Sequence, residues 1–136
     1  MPKRILAVSL STLLLLSACG PKVDETSTPD RYSGLAPQIL AWRTAIEASH
    51  PACAIKIEGR GCEAFQVTCK AAQEITTDET ANGVSAQLVA AMTFNGRSSD
   101  GSSGKPGSAF AIFSKARGSW TRAEAPAVNM TSCAPL

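Results

Sequence analysis

Histidine occurs once in this chain, at position 50, tyrosine once, and aromatic residues make up only 5% of 136 positions. Few side chains are therefore available for base catalysis. A general base needs a nucleophile and an orienting acid beside it, and the sequence identifies neither for His50. His50 precedes Pro51 at the end of a helix-periodic segment, a place where it caps the last carbonyls and, when protonated, complements the negative end of the helix dipole. The chain also has no Cys-x-x-Cys pair: the four cysteines after Cys19 are spaced by nine, seven and 64 residues, which speaks against a metal site. The Gly/Ser-rich segment 95–108 lacks the Gly-Lys-Ser/Thr ending and the strand-to-helix setting of a phosphate cradle. No other stretch carries a cofactor signature, so neither a cofactor nor an enzymatic role is expected, and a hydrolase is the least favoured class. The carboxylate pairs Asp24-Glu25 and Asp78-Glu79 sit in polar stretches and are read as solvated, not as a glycosidase dyad.

A dominant charge is missing as well. Setting aside Lys3 and Arg4 leaves the 13 basic residues reduced to parity with the 11 acidic ones. Neutrality without a Lys/Arg cluster argues against nucleic acid, whose binding needs a basic stripe to displace counterions. Any partner is expected to be a protein, a glycan or a small ligand.

The longest apolar run, Ile5 to Leu16, holds about 12 residues, too few to cross a hydrocarbon core of ~30 Å as a helix. It follows basic Lys3 and Arg4 and precedes small Ser17 and Ala18, the layout of a secretory signal. Leu16-Ser17-Ala18-Cys19 resembles the lipobox of bacterial lipoproteins at all four positions. The resemblance implies cleavage before Cys19, a diacylglyceryl group on its thiol, and often acylation of the new amine, with palmitate among the attached chains. At least two chains give stable anchoring. Gly20, where an Asp would retain a lipoprotein at the inner membrane, implies an outer-membrane destination facing the periplasm. The expected organisation is a signal peptide over 1–18, a flexible tether over 19–34 that has little apolar area, and one domain over 35–136.

With Cys19 assigned to lipid, Cys53, Cys62, Cys69 and Cys133 form an even set in an exported protein, and two disulfides are the economical expectation. Period-two alternation over Ala54–Glu58 and again over Phe65–Cys69, around Gly59-Arg60-Gly61, predicts a hairpin. Its register brings Cys53 near Cys69 and leaves Cys62 for Cys133. The rival pairing, Cys53 with Cys62 and Cys69 with Cys133, follows if the register slips. Both fasten the C-terminal tail to the middle of the chain.

Leu35, Ile39, Trp42, Ile46 and Ser49 recur at three and four residues, predicting a helix from Pro37 to Ser49 with Trp42 as its core anchor. Residues 76–83 read as a polar turn. Val84, Ala86, Leu88, Ala90, Met92 and Phe94 alternate with Ser85, Gln87, Val89, Ala91 and Thr93, the clearest strand in the chain. Segment 95–108 reads as a long loop with a mobile tip, followed by a strand over Ala109–Ser114, a turn at Ala116–Ser119, and a return strand over Trp120–Glu124.

These elements predict an α+β domain, one N-terminal helix on a meandering antiparallel sheet of about five strands, braced by disulfides. The order, with Phe113-Ser114-Lys115-Ala116-Arg117-Gly118-Ser119-Trp120 as a last hairpin, is similar to cystatin-like and nuclear-transport-factor-like rolls. That likeness implies a concave sheet able to hold a ligand, although the catalytic Asp and His of the enzymes of that group have no counterpart. The expected function is a non-catalytic, lipid-anchored envelope domain. The alternative is a periplasmic enzyme inhibitor presenting the 95–108 loop, similar to lysozyme inhibitors but without their Ser-Gly-x-x-Tyr signature.

Overall fold

A computed structural model describes residues 30–136. The signal segment, Cys19, the Asp24-Glu25 pair and most of the expected tether lie outside the described residues. Helix α1 spans Leu35–Ser49. A 3₁₀ turn, Pro51–Cys53, follows it. Strand β1 covers Cys62–Ala72, the one-turn helix α2 Thr77–Ala81, β2 Val84–Arg97, β3 Ser103–Ala116 and β4 Ser119–Glu124. The four strands pair consecutively and antiparallel in the order β1-β2-β3-β4. Among the described residues the α+β class holds, with four strands rather than five.

The missing strand is Ala54–Glu58. Glu58 and Gly59 both take positive φ, and the segment closes on itself through a single bridge between Ile57 and Arg60. No ladder can form there, because a turn this tight leaves no length for pairing. The alternation at 54–58 therefore reflects a folded-back loop with Ile55 exposed.

The two faces of the sheet carry separate clusters. On one, Leu88, Ala90, Met92, Phe94, Ala111 and Phe113 meet Leu35, Trp42 and Ile46 of α1. Trp42 stands edge-on to Phe113 with centroids 5.6 Å apart, a geometry favoured by the ring quadrupoles. On the other, Val89 and Ala91 lie under Val128 and Cys133 of the tail, with Phe110, Ile112 and Met130 around them. The period-two alternation of Val84–Phe94 is thus expressed as two buried faces, one under the helix and one under the tail.

The disulfides are Cys53–Cys62 and Cys69–Cys133, with Cα separations of 5.0 and 5.6 Å. This overturns the preferred pairing of Cys53 with Cys69 and of Cys62 with Cys133. The cause is a register irregularity in β1: Val67 opposes Met92, yet Cys69 opposes the adjacent Ala91. In a regular strand Phe65, Val67 and Cys69 would share a face. The extra residue of a bulge turns Cys69 to the tail side, while Cys62 stays in the helix-side cluster.

The long loop expected at 95–108 is shorter. β2 runs on to Arg97 and β3 starts at Ser103, leaving a tip of residues 98–102. That tip is internally bonded: Ser98 N–H donates to the Ser102 carbonyl, Gly101 N–H to that of Ser98, and the Ser102 hydroxyl and N–H both donate to Asp100. The domain also begins ahead of Leu35. Tyr32 packs against the helix-side cluster, and the Ser33 carbonyl accepts from Trp120 Nε1 at 2.9 Å and Lys115 Nζ at 3.1 Å.

Candidate functional site

The helix is narrower than the sheet it covers, so a cleft opens on each side of it. Between α1 and β1 the cleft has an apolar part, lined by Ile39, Leu40, Phe65 and Val67 over the buried Met92, with a volume of about 220 Å³. It continues through Leu40, Arg43 and Phe65 into a hollow of about 440 Å³ bordered by Arg43, Arg60 and Arg97 together with Glu47 and Glu63. Leu40 is 61% exposed, on the side of α1 away from its buried stripe.

The charges of this hollow are unequally committed. Glu47, in the last turn of α1, accepts the N–H groups of Gly61 and Cys62, the latter at 3.0 Å. Glu63 is bound to Arg97 Nη2 at 3.3 Å. Arg97 Nη1 reaches the Gly101 carbonyl, and its Nε is buried without a partner. The Arg43 guanidinium lies 4.7 Å from the Phe65 ring centroid, a cation–π contact. Among the described residues neither Arg43 nor Arg60 has a carboxylate partner, so the hollow keeps positive charge on its exposed rim.

Glycines make the floor possible. A Cβ at Gly61 would collide with the Cys53 carbonyl, and one at Gly96 with that of Ala52. Their absence lets the 3₁₀ turn lie directly on the end of the sheet, where Cys53 reaches Cys62. Glu47 and the two sulfurs lie within 4.8 Å of one another, a donor set of metal-site composition. However, the sulfurs are bonded to each other rather than present as thiolates, and the carboxylate is occupied by two amides. This cluster ties the helix end to β1.

The second cleft, about 340 Å³, lies between the end of α1 and strands β3 and β4, with His50, Ser49, Ser108, Arg122 and Glu124 on its walls. His50 does not cap the last carbonyls of α1. Its Nδ1 accepts the Ala52 N–H at 3.1 Å, capping the start of the 3₁₀ turn, and its ring stands edge-on to Phe94 at 4.8 Å. With Nδ1 accepting a backbone amide, the imidazole carries its hydrogen on Nε2, and its role is to anchor the turn.

Asp78 and Glu79 prove to be helix-start residues. Thr76 and Glu79 form a reciprocal capping box at α2, for which Thr76-Thr77-Asp78-Glu79 is a readable signature. The Thr76 N–H, then the Gln87 amide and the Thr76 hydroxyl, hold the Glu79 carboxyl below its ordinary value. In the hairpin tip the Ser102 hydroxyl, then its N–H, do the same to Asp100. Of the residues lining the α1–β1 groove, only Cys62 stands out in the sequence, and then as a disulfide cysteine. Leu40, off the buried stripe of α1, was the one readable sign of the groove itself.

No family model, curated protein or solved structure matches the chain. Among the described residues no helix is long and apolar enough to cross a membrane.

Proposed function

We propose that this protein is a bacterial cell-envelope lipoprotein, held through Cys19 at the outer membrane and facing the periplasm, whose domain binds a ligand and does no chemistry on it. The observation that carries this reading is polarity along the sheet. The chain enters the fold at Ser33, clamped to Lys115 and Trp120 beside the β3–β4 turn. The arginine-bordered hollow and the 98–102 tip lie at the opposite end, next to Gly96 and Arg97. β3 spans 14 residues between those ends, roughly 45 Å at ~3.3 Å per residue. A tether leaving from Ser33 thus joins the domain at the end opposite the hollow and leaves the hollow free of the attachment point. A non-catalytic role is favoured by the engagement of His50 with a backbone amide. Mass spectrometry of the natural product tests the anchor: the expected amino-terminal peptide begins at a diacylated Cys19, and palmitate labelling is lost on Cys19→Ser. An unmodified amino terminus sinks it.

One observation favours a second reading, an inhibitor inserting the hairpin tip into an enzyme cleft. The tip is held in shape by Asp100 and Ser102 before any partner arrives, which lowers the ordering cost of binding. For that reading, Asp100→Ala abolishes inhibition while folding is retained.

A further inference from the structure

The α1–β1 groove changes character along its length, and this asymmetry identifies the chemistry it suits. From Ala36 to Glu47 it follows α1 for about 16 Å at ~1.5 Å rise per residue. Its first half, nearer the end where the chain enters, presents Ile39, Leu40, Phe65 and Val67 over Met92. Its second half presents Arg43 and Arg60; Glu63 is paired with Arg97, and the Glu47 carboxylate, bonded to two neutral amides, keeps its single negative charge against their two positive ones. Apolar surface beside a hollow with a net excess of one positive charge complements an amphiphile whose head is an anion. Arg forks bind carboxylate or phosphate oxygens in pairs. An extended peptide would have to pair along the free edge of β1, which two register irregularities interrupt, and is disfavoured on that ground.

We propose that this groove binds a single-chain anionic amphiphile, a fatty acyl carboxylate or alkyl phosphate, with its chain over Ile39, Leu40, Phe65 and Val67 and its head between Arg43 and Arg60. The proposal deepens the ligand-binding reading above and rests on it. The occupant lies with its tail toward the anchored end of the domain and its head toward the 98–102 tip. Arg43 serves both halves, since its stem borders the apolar part and its guanidinium, placed over Phe65, faces the head. Arg97, bound to Glu63 and to the tip, supports the wall rather than the ligand.

The test uses the full chain in phosphatidylcholine vesicles with a diazirine-bearing fatty acid as photoprobe. A single digest is read for the residue 19 peptide and for labelled groove peptides. Label is expected in the peptides containing Leu40 and Phe65. Laurate and dodecyl phosphate, used separately, distinguish the two head chemistries, and competition by either supports the proposal. Neutral dodecanol is expected to compete about tenfold less well, and the Arg43→Gln/Arg60→Gln double variant to need about tenfold more laurate, the loss of roughly one charge-assisted hydrogen bond. Inorganic phosphate should not compete. An unchanged disulfide map and near-ultraviolet circular dichroism show that the variant has folded, and Leu40→Glu gives an independent block of the apolar half. Label elsewhere, equal competition by dodecanol, or an unaffected double variant overturns the proposal. A lipidated residue 19 without groove label defeats this inference alone, whereas groove label with an unmodified residue 19 defeats the anchor alone.

Discussion

Glu47 is the residue on which the end of the groove depends. Its two oxygens receive the amides of Gly61 and Cys62, both buried positions in a chain reversal that supplies no backbone acceptor of its own for them. Replacing Glu47 by Ala leaves both donors unpaired, and an unsatisfied buried amide costs ~1–3 kcal/mol. We expect Glu47→Ala to lower the unfolding free energy by about 2 kcal/mol in urea denaturation, with Glu47→Gln, which keeps one acceptor, losing less. Equal stability of Glu47→Ala and the parent would show that water satisfies these amides. The importance of Glu47 was not legible in the sequence, because its partners lie 14 and 15 residues away across a disulfide-bonded turn. Trp42 was legible, since a helical stripe identifies its own buried face.

At the scale of elements, the two disulfides do different work. Cys53–Cys62 closes a span of nine residues and fastens the 3₁₀ turn to the start of β1, whereas Cys69–Cys133 closes 64 and fastens the tail across the sheet. In the chain-entropy model the longer closure stabilises by about 4 kcal/mol and the shorter by about 3. Cys69→Ala/Cys133→Ala is therefore expected to reduce the melting temperature more than Cys53→Ala/Cys62→Ala, as calorimetry would read. The reverse order would mean that contacts within the short turn outweigh loop entropy. The strands themselves limit edge pairing with other chains. β1 carries two register irregularities, and β4 is six residues long with Arg122 and Glu124 exposed, both recognised ways of blunting an open edge.

The described residues form three layers rather than the two expected from sequence: helix, sheet, and a tail without regular structure. Val89 and Ala91 are only 2% and 0% exposed, although no helix among the described residues covers them; Val128, Met130 and Cys133 do so instead. A chain ending at Ala125, with Cys69→Ser to remove the free thiol, would leave that apolar face open. We expect it to associate, seen as a concentration-dependent mass in light scattering together with dye binding to apolar surface. A monomer of parental stability would assign the tail no structural role. The sequence by itself determined the class of the fold, the alternation of β2 and the final hairpin, because each rests on a period carried by neighbouring residues. Only the tertiary structure decided the pairing of the cysteines, the extension of β2 and β3 into the expected loop, and the groove beside α1. Those depend on a bulge at Val67–Cys69, on ladder partners far apart in the chain, and on a helix that covers only part of its sheet, none of which leaves a local pattern to read.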